Sequence, residues 1–353
     1  MKTSSYNKTF TPAGDFPEDI VWINVKNAPF TIHGVFFDET QGQFIRMEQS
    51  VANTTKGMVK DLNRSTAGGR VRFRTNSRYV GMYAVMGEHD HTSQMNHGFD
   101  LSHYDENFGR ETYAYSFVPP SHMKEGFGAG FFTDGTMKDY VLHMPTHGEV
   151  RELYIGLKLD AEVESPTPYK HSLPVVFYGS SITQGSCASR PANIYEAIVS
   201  RKLDTDYVNL GFSGSALAEE EVIKYIASLD MSVFVCDYDH NAPDEEHLLR
   251  THPEVYRIIR EAKPTLPIVF ISAPNIMPDY TWHIPRRDAI RRTYELAKAA
   301  GDSNVYFIDG ETFFDISDRD MCTVDTCHPN DLGMYLIAEK VTGVLDGILN
   351  GRS

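Results

Sequence analysis

The rhythm of apolar residues changes near residue 165, and that one change limits what the 353-residue chain can fold into. Before it, apolar and polar residues alternate in short runs. VRFRTNSRYVGMYAVM alternates from Val71 through Phe73, and Val80, Met82 and Ala84 continue on one face. RELYIGLKL sets Leu153, Ile155, Leu157 and Leu159 on one side. Period-2 alternation cut by Gly, Asn and Pro turns predicts half-buried antiparallel strands. With no long helical pattern before residue 160, the expectation for residues 1–165 is an all-β sandwich or jelly roll. The stretch AEVESPTPYKHS (161–172) has the Pro, Ser and charge content of a linker. Beyond it, apolar strands at Pro174–Tyr178, Tyr207–Leu210, Ser232–Cys236, Pro267–Ile271 and Val305–Ile308 alternate with helix-length patterns. Those patterns lie near 192–203, 217–228, 244–263, 285–300 and 330–349. Such alternation predicts a doubly wound α/β domain over 173–353, its parallel sheet covered on both faces.

Composition narrows the partners. The formal net charge is −15 and no run is rich in lysine or arginine, so neither nucleic acid nor an anionic membrane surface is an expected partner. No apolar stretch approaches the roughly 18–20 residues that span a bilayer. The opening MKTSSYNKTFTPAGDF has no apolar signal region, which reads as a cytoplasmic protein. Cys187, Cys236, Cys322 and Cys327 form no CxxC pair and are expected as free thiols in a reducing compartment. EHDHTSQMNHGFDLSH gathers His89, His91, His97 and His103. A His-x-His beside acids can bind zinc, but the plainer reading is a solvated loop between strands, or one overhanging a pocket. No metal is expected.

In an open α/β sheet, ligands bind beyond the carboxyl ends of the strands. Four segments carrying chemistry lie there. LPVVFY runs into GSSITQG (179–185), which presents Ser181 at a glycine-flanked turn. NLGFSGSA (209–216) offers Gly214, whose amide no side chain obstructs, and FVCDYDHNAP (234–243) offers Asn241 and His240. DTCHPND (325–331) puts Asp325 and His328 three residues apart. After the fourth strand, MPDYTWHIP brings Trp282 and His283, either a substrate rim or a hydrophobic loop anchor. Each residue also has a bland reading: Asp325 could cap the last helix, Gly214 could be a turn glycine and Asn241 a loop brace.

Taken together, the four segments resemble the sequence blocks of the GDSL/SGNH hydrolases, in order, from residue 173 to the end. The resemblance implies a flavodoxin-like parallel sheet of five strands. It implies Ser181 as nucleophile, His328 as general base and Asp325 as the acid that orients it. The Ser181 and Gly214 amides and the Asn241 side chain correspond to the oxyanion donors, and His240 could also reach the pocket. Two positions depart from the pattern. Ser180 replaces the usual Asp of the first block, and Asp239, His240, Asn241 and Ala242 stand where the third usually reads Gly-x-Asn-Asp. GFDLSHYD (98–105) resembles the Gly-x-Asp-Leu-Tyr signature of a β-domain found ahead of such hydrolases, with Ser102 replacing Tyr.

The implied chemistry is ester hydrolysis through an acyl-enzyme, for which no metal or organic cofactor is needed. The expected substrate is a small-molecule or oligosaccharide ester, with acetyl the preferred acyl group. An acyltransferase or lipid-directed esterase would use the same residues. A carbohydrate-binding protein with an inactive hydrolase half is the alternative of another class. A homo-oligomer is left open.

Overall fold

A computed structural model of the chain describes all residues except 7–9, 88–93, 122, 124–125, 276–280, 316 and 352–353, and the side chains of 94 and 95. It divides into two compact units. The first comprises Met1–Arg46, Arg64–Pro168 and Arg190–Ala192; the second comprises Met47–Asn63, Tyr169–Ser189 and Asn193–Ser353.

The first unit is built on β1 (Ile20–Asn24), β2 (Thr31–His33), β3 (Phe36–Asp38), β4 (Gln43–Ile45), β5 (Arg70–Thr75) and β6 (Tyr79–Met86). It continues through β7 (Phe99–Asp105), β8 (Arg110–Phe117), β9 (Phe127–Phe132), β10 (Lys138–His143), β11 (Val150–Lys158) and β12 (Val163–Glu164). One antiparallel sheet runs β1-β11-β6-β9, and another runs β12-β5-β10-β7-β8 with β2 beside β5. Their inner faces share one core in which Val80, Met82, Ala84, Leu153, Ile155 and Leu157 meet Val71, Phe73, Phe99 and Leu101. This is the expected all-β sandwich.

Two features depart from half-buried strands and a linker. On β5 the polar Arg70, Arg72 and Thr75 are also buried, and the Arg72 guanidinium donates to the Thr167 carbonyl at 2.9 Å. The supposed linker therefore belongs partly to the first unit. Val163 is fully buried, and β12 pairs with Thr75 and Arg74. On the other sheet, Trp22, Tyr79 and Tyr83 lie under Phe10 and Phe16, so the strand positions opposite the core are covered by aromatic rings.

The second unit takes a segment from the N-terminal half of the sequence, with the short helices α1 (Gln49–Ala52) and α2 (Val59–Leu62). Met47, Ala52 and Val59 join the core of Phe212, Ala216 and Val222. Asn63 closes this excursion: its Oδ1 accepts from the Met47 amide at 2.8 Å and its Nδ2 donates to the Met47 carbonyl at 2.7 Å. Another short helix, α3 (Gln94–His97), precedes β7.

The parallel sheet comprises β13 (His171–Gly179), β14 (Thr205–Gly211), β15 (Val233–Asp237), β16 (Ile268–Ile271) and β17 (Val305–Ile308). They lie in the order β14-β13-β15-β16-β17. Between them run α4 (Ser181–Gln184), α5 (Tyr195–Leu203), α6 (Glu220–Ser228), α7 (Glu245–Ala262) and α8 (His283–Ala299), and α9 (Asp331–Asn350) follows β17. Helices α6, α7 and α8 cover one face; α5 and α9 cover the other. The strand order reverses around β13, which makes its carboxyl end the crevice where such sheets bind ligands.

Helix α7 buries a histidine in this core. His252 is 1% exposed, lies parallel to Tyr238 at 5.9 Å, meets the edge of Phe270 at 4.4 Å, and bonds through neither ring nitrogen. Burial pushes its pKa down to about 3. Unfolding restores the ordinary value of 6.5, so the ring costs the fold least above that pH, where it is neutral in both states. Stability falls by up to about 1.4 kcal/mol per pH unit as the pH drops from there toward 3, because the unfolded chain takes up the proton first. His252→Phe is expected to raise stability by about 1–2 kcal/mol at neutral pH and to flatten the acid side of the curve. Urea unfolding at pH 7.5 and 5 measures both, and an unchanged pH slope would count against the assignment.

Candidate active site

Ser181 opens α4 immediately after β13, in a turn too tight for side chains at its entrance. A methyl group at Gly179 would lie 2.1 Å from both the Asp237 carbonyl oxygen and Thr183 Oγ1, so only glycine fits. Ser180 caps the turn: its amide donates to the Asp237 carbonyl at 2.9 Å and its Oγ accepts from the Ile182 amide at 3.2 Å. Serine and aspartate are interchangeable as helix N-caps, which explains why Ser180 can stand where the family pattern has Asp.

Ser181 is 6% exposed, and its Oγ lies 2.9 Å from His328 Nε2. His328 Nδ1 lies 2.7 Å from Asp325 Oδ2. The three-residue spacing works because Asp325 caps its own turn. Its Oδ1 accepts from the amides of Cys327 at 3.1 Å and His328 at 2.7 Å, while Thr326 takes a left-handed φ of 67°. Partial burial opposes ionisation of Asp325, but the amides and ring of that turn outweigh it and hold its carboxyl below the usual range. A carboxylate only accepts, so Nδ1 carries the ring proton, and Nε2 is left to accept from the Ser181 hydroxyl. Asp325 does not cap the last helix. That role falls to Asn330, whose Oδ1 accepts from the Leu332 and Gly333 amides.

The loops after β14 and β15 are tied together. Asn241 Oδ1 accepts from the Ala216 amide at 3.1 Å. This contact fixes the carboxamide's orientation and leaves its NH₂ as the free donor end. Gly214 adopts a φ of +67° with open space where a Cβ would sit, so the backbone angle, not crowding, favours glycine. The excursion from the N-terminal half arrives beside it: the Met58 amide donates to Ser215 Oγ at 3.3 Å. No periodicity in residues 47–63 signals that placement.

A neutral wall adjoins the imidazole. Cys327 Sγ lies 3.8 Å from His240 Nδ1, and the His240 ring tilts against Trp282 at 5.6 Å. Burial first, and then the proximity of His328, Arg286 and His283, pushes the His240 pKa down to about 4. Burial and then Asp325 push the Cys327 thiol up to about 11; burial and Asp325 also raise the Cys187 thiol. Neither sulfur is a thiolate at neutral pH, which disfavours either one as a nucleophile. Trp282 is 46% exposed, as a rim residue would be. His283 is not. It is 2% exposed, with Nε2 3.0 Å from Glu311 Oε1, because it opens α8 facing inward. Arg286, which sequence patterning leaves as one cation in a basic helix face, donates to three carbonyls of the 239–243 loop.

Residues 172–346 match the family described as GDSL-like Lipase/Acylhydrolase, and residues 20–163 match the N-terminus of Esterase_SGNH_hydro-type, GxDLY. The chain belongs to the GDSL/SGNH hydrolases. It is a serine esterase of that family. A protein from Bacteroides ovatus ATCC 8483 assigned as a GDSL-like lipase is 25% identical to this hydrolase, with TM-score 0.82 over 94% of this chain and 98% of that one. The salicylyl-acyltransferase SsfX3 from a tetracycline biosynthetic pathway is 19% identical, with TM-score 0.77 over 96% and 100%. A family two carbohydrate esterase from Clostridium thermocellum in complex with cellohexaose is 15% identical, with TM-score 0.64 over 91% and 99%. No curated protein matches the sequence.

The GxDLY-type signature of this GDSL/SGNH hydrolase has a structural part to play in the first unit. Phe99 and Leu101 are core residues there. Asp100 is fully buried, accepts from Arg190 Nη1 at 2.8 Å and from the Ala192 amide at 3.4 Å, and so anchors the three residues that unit takes from the C-terminal half. Arg190 also covers the Tyr113 ring at 4.5 Å. Of the histidine-rich segment, His89 and His91 lie outside the described residues. Among the described residues, no group of three or more His, Cys, Asp or Glu is arranged to hold a metal, and no helix is long and apolar enough to cross a membrane.

Proposed function

We propose that this hydrolase cleaves carboxylic esters through an acyl-enzyme on Ser181, and that its substrate is a small acyl ester, preferably acetyl, on a sugar or similar polar alcohol. The observation that carries the chemistry is the continuous relay Ser181 Oγ–His328 Nε2 and His328 Nδ1–Asp325 Oδ2, at 2.9 and 2.7 Å. A serine hydroxyl is a poor nucleophile until a base takes its proton. His328 accepts that proton on attack and returns it to the leaving alcohol, while Asp325 stabilises the imidazolium between the two steps. The Ser181 amide, the Gly214 amide and the Asn241 NH₂ receive the negative charge of the tetrahedral intermediate. Water then takes the acyl group, and the chain's own residues supply every proton transfer.

The polar-alcohol reading is supported by the neutral wall of His240 and Trp282 beside the relay, and by the shared architecture with a carbohydrate esterase. Trp282→Ala is expected to raise KM for an acetylated oligosaccharide about three- to tenfold, with a smaller change in kcat. Steady-state kinetics on that substrate measures the split, and a loss confined to kcat would remove Trp282 from the rim.

Acyl transfer is the second reading, favoured by the shared architecture with an acyltransferase. Product analysis decides between them: acetate release in water supports hydrolysis, and acyl appearance on an added alcohol supports transfer. The central experiment is fluorophosphonate labelling with peptide mapping, together with acetate release from acetylated oligosaccharides against longer esters. Label on a residue other than Ser181 refutes the chemistry. Selective cleavage of long-chain esters refutes the substrate.

A further inference from the structure

We infer that Arg286 is a positioning residue that holds the Asn241 loop and the Trp282 rim in register from a single guanidinium. It sits in the first turn of α8. Its Nη1 donates to the carbonyls of Asp239 at 2.8 Å and Ala242 at 2.6 Å, and its Nη2 donates to that of Pro243 at 3.0 Å. These carbonyls bracket Asn241 on both sides. The same cation lies 5.3 Å from the Trp282 ring centroid.

The loop has little else to fix it. Residues Asp239–Asn241 make one 3-10 turn, closed by the Asn241 amide on the Tyr238 carbonyl at 3.0 Å and the Ala242 amide on that of Asp239 at 3.2 Å. Pro243 contributes no backbone donor. The Ala216 amide ties the Asn241 carboxamide to the neighbouring loop at one point, and it leaves the backbone on either side of Asn241 to other contacts. The Ala273 amide on Asp239 Oδ2, at 2.7 Å, pins only the start of the turn. A planar five-donor fork can satisfy three carbonyls at once and still present a face to an indole; a lysine ammonium cannot. Since an error of about 1 Å in a donor's position can cost two orders of magnitude in rate, the guanidinium has leverage on catalysis without touching substrate.

The inference rests on the reading of Asn241 as an oxyanion donor. Arg286→Ala is expected to lower kcat toward p-nitrophenyl acetate about ten- to fiftyfold, and Arg286→Lys by an intermediate factor. The deciding readout is a double-mutant cycle. In an Asn241→Ala background the kcat cost of Arg286→Ala is expected to shrink below twofold, because the donor it positions is already gone. Guanidinium ion added at low millimolar concentration is expected to restore part of the Arg286→Ala rate but none of the rate of Asn241→Ala. A full kcat cost persisting in the Asn241→Ala background, or no cost in the wild-type background, overturns the proposal. If Arg286→Ala does not fold, Arg286→Lys takes its place in the cycle, and the same two results overturn the proposal. Should Asn241→Ala itself leave kcat unchanged, the oxyanion reading fails instead, so the two failures are distinguishable.

Discussion

Replacing Ser181 with alanine is expected to lower kcat toward p-nitrophenyl acetate by about five orders of magnitude while the protein stays folded. The size follows from the relay. Without the hydroxyl, His328 has nothing to deprotonate, and only the oxyanion donors and substrate binding remain. His328→Ala is expected to cost about as much, and the double variant no more than either alone, because the two side chains act as one unit. Asp325→Asn tests the third member. An amide can turn its NH₂ toward Nδ1, moving the ring proton to Nε2, where it opposes the serine; about a 10⁴-fold loss is expected. Initial rates measure all four variants, and a fluorophosphonate, which cannot label the two lacking Ser181, counts any contaminating wild-type sites in those two. Undiminished turnover by the Ser181→Ala protein would end the assignment.

Asn241→Ala is expected to lower kcat by about 10²–10³-fold with little change in KM, the signature of a contact made only as charge develops on the carbonyl oxygen. Asn241→Asp sharpens the test. Its carboxylate can still accept from the Ala216 amide, as Asn241 Oδ1 does at 3.1 Å, so the loop keeps its brace. What it loses is the donor, and it sets an anion beside the oxyanion. It should therefore be slower than the alanine variant. Phosphonate inactivation rates should fall in parallel with kcat; an effect confined to KM would instead make Asn241 a ground-state contact.

What can be read from the sequence is whatever local pattern dictates. The parallel strands appear within a few residues of their expected places because continuous apolar runs between helical patterns leave few alternatives. Ser181, Asp325 and His328 are legible as candidates because the proposed triad needs only short local signatures, a strand-to-turn serine and a self-capped Asp-x-x-His. Arg286 is not, since nothing in HIPRRDAIRR separates a guanidinium bound to three carbonyls from a solvated helix face. His283 and Trp282 are neighbours in sequence but not in role, and only the direction in which α8 begins separates the inward ring from the exposed one. Residues 47–63 carry no periodic pattern at all. Their apolar positions, Met47, Ala52 and Val59, are irregularly spaced, which suits short helices laid on a surface already formed.

The return loop pinned by Asn63 has a consequence for how the molecule comes to exist. During synthesis, Met47, Ala52 and Val59 emerge long before the sheet they pack against, so these side chains wait, uncovered, for partners more than a hundred residues away. Three residues go the other way, Arg190–Ala192 returning to the sandwich. Neither unit can be cut out as one uninterrupted stretch, and the order in which the ribosome delivers the chain is not the order in which its parts are completed.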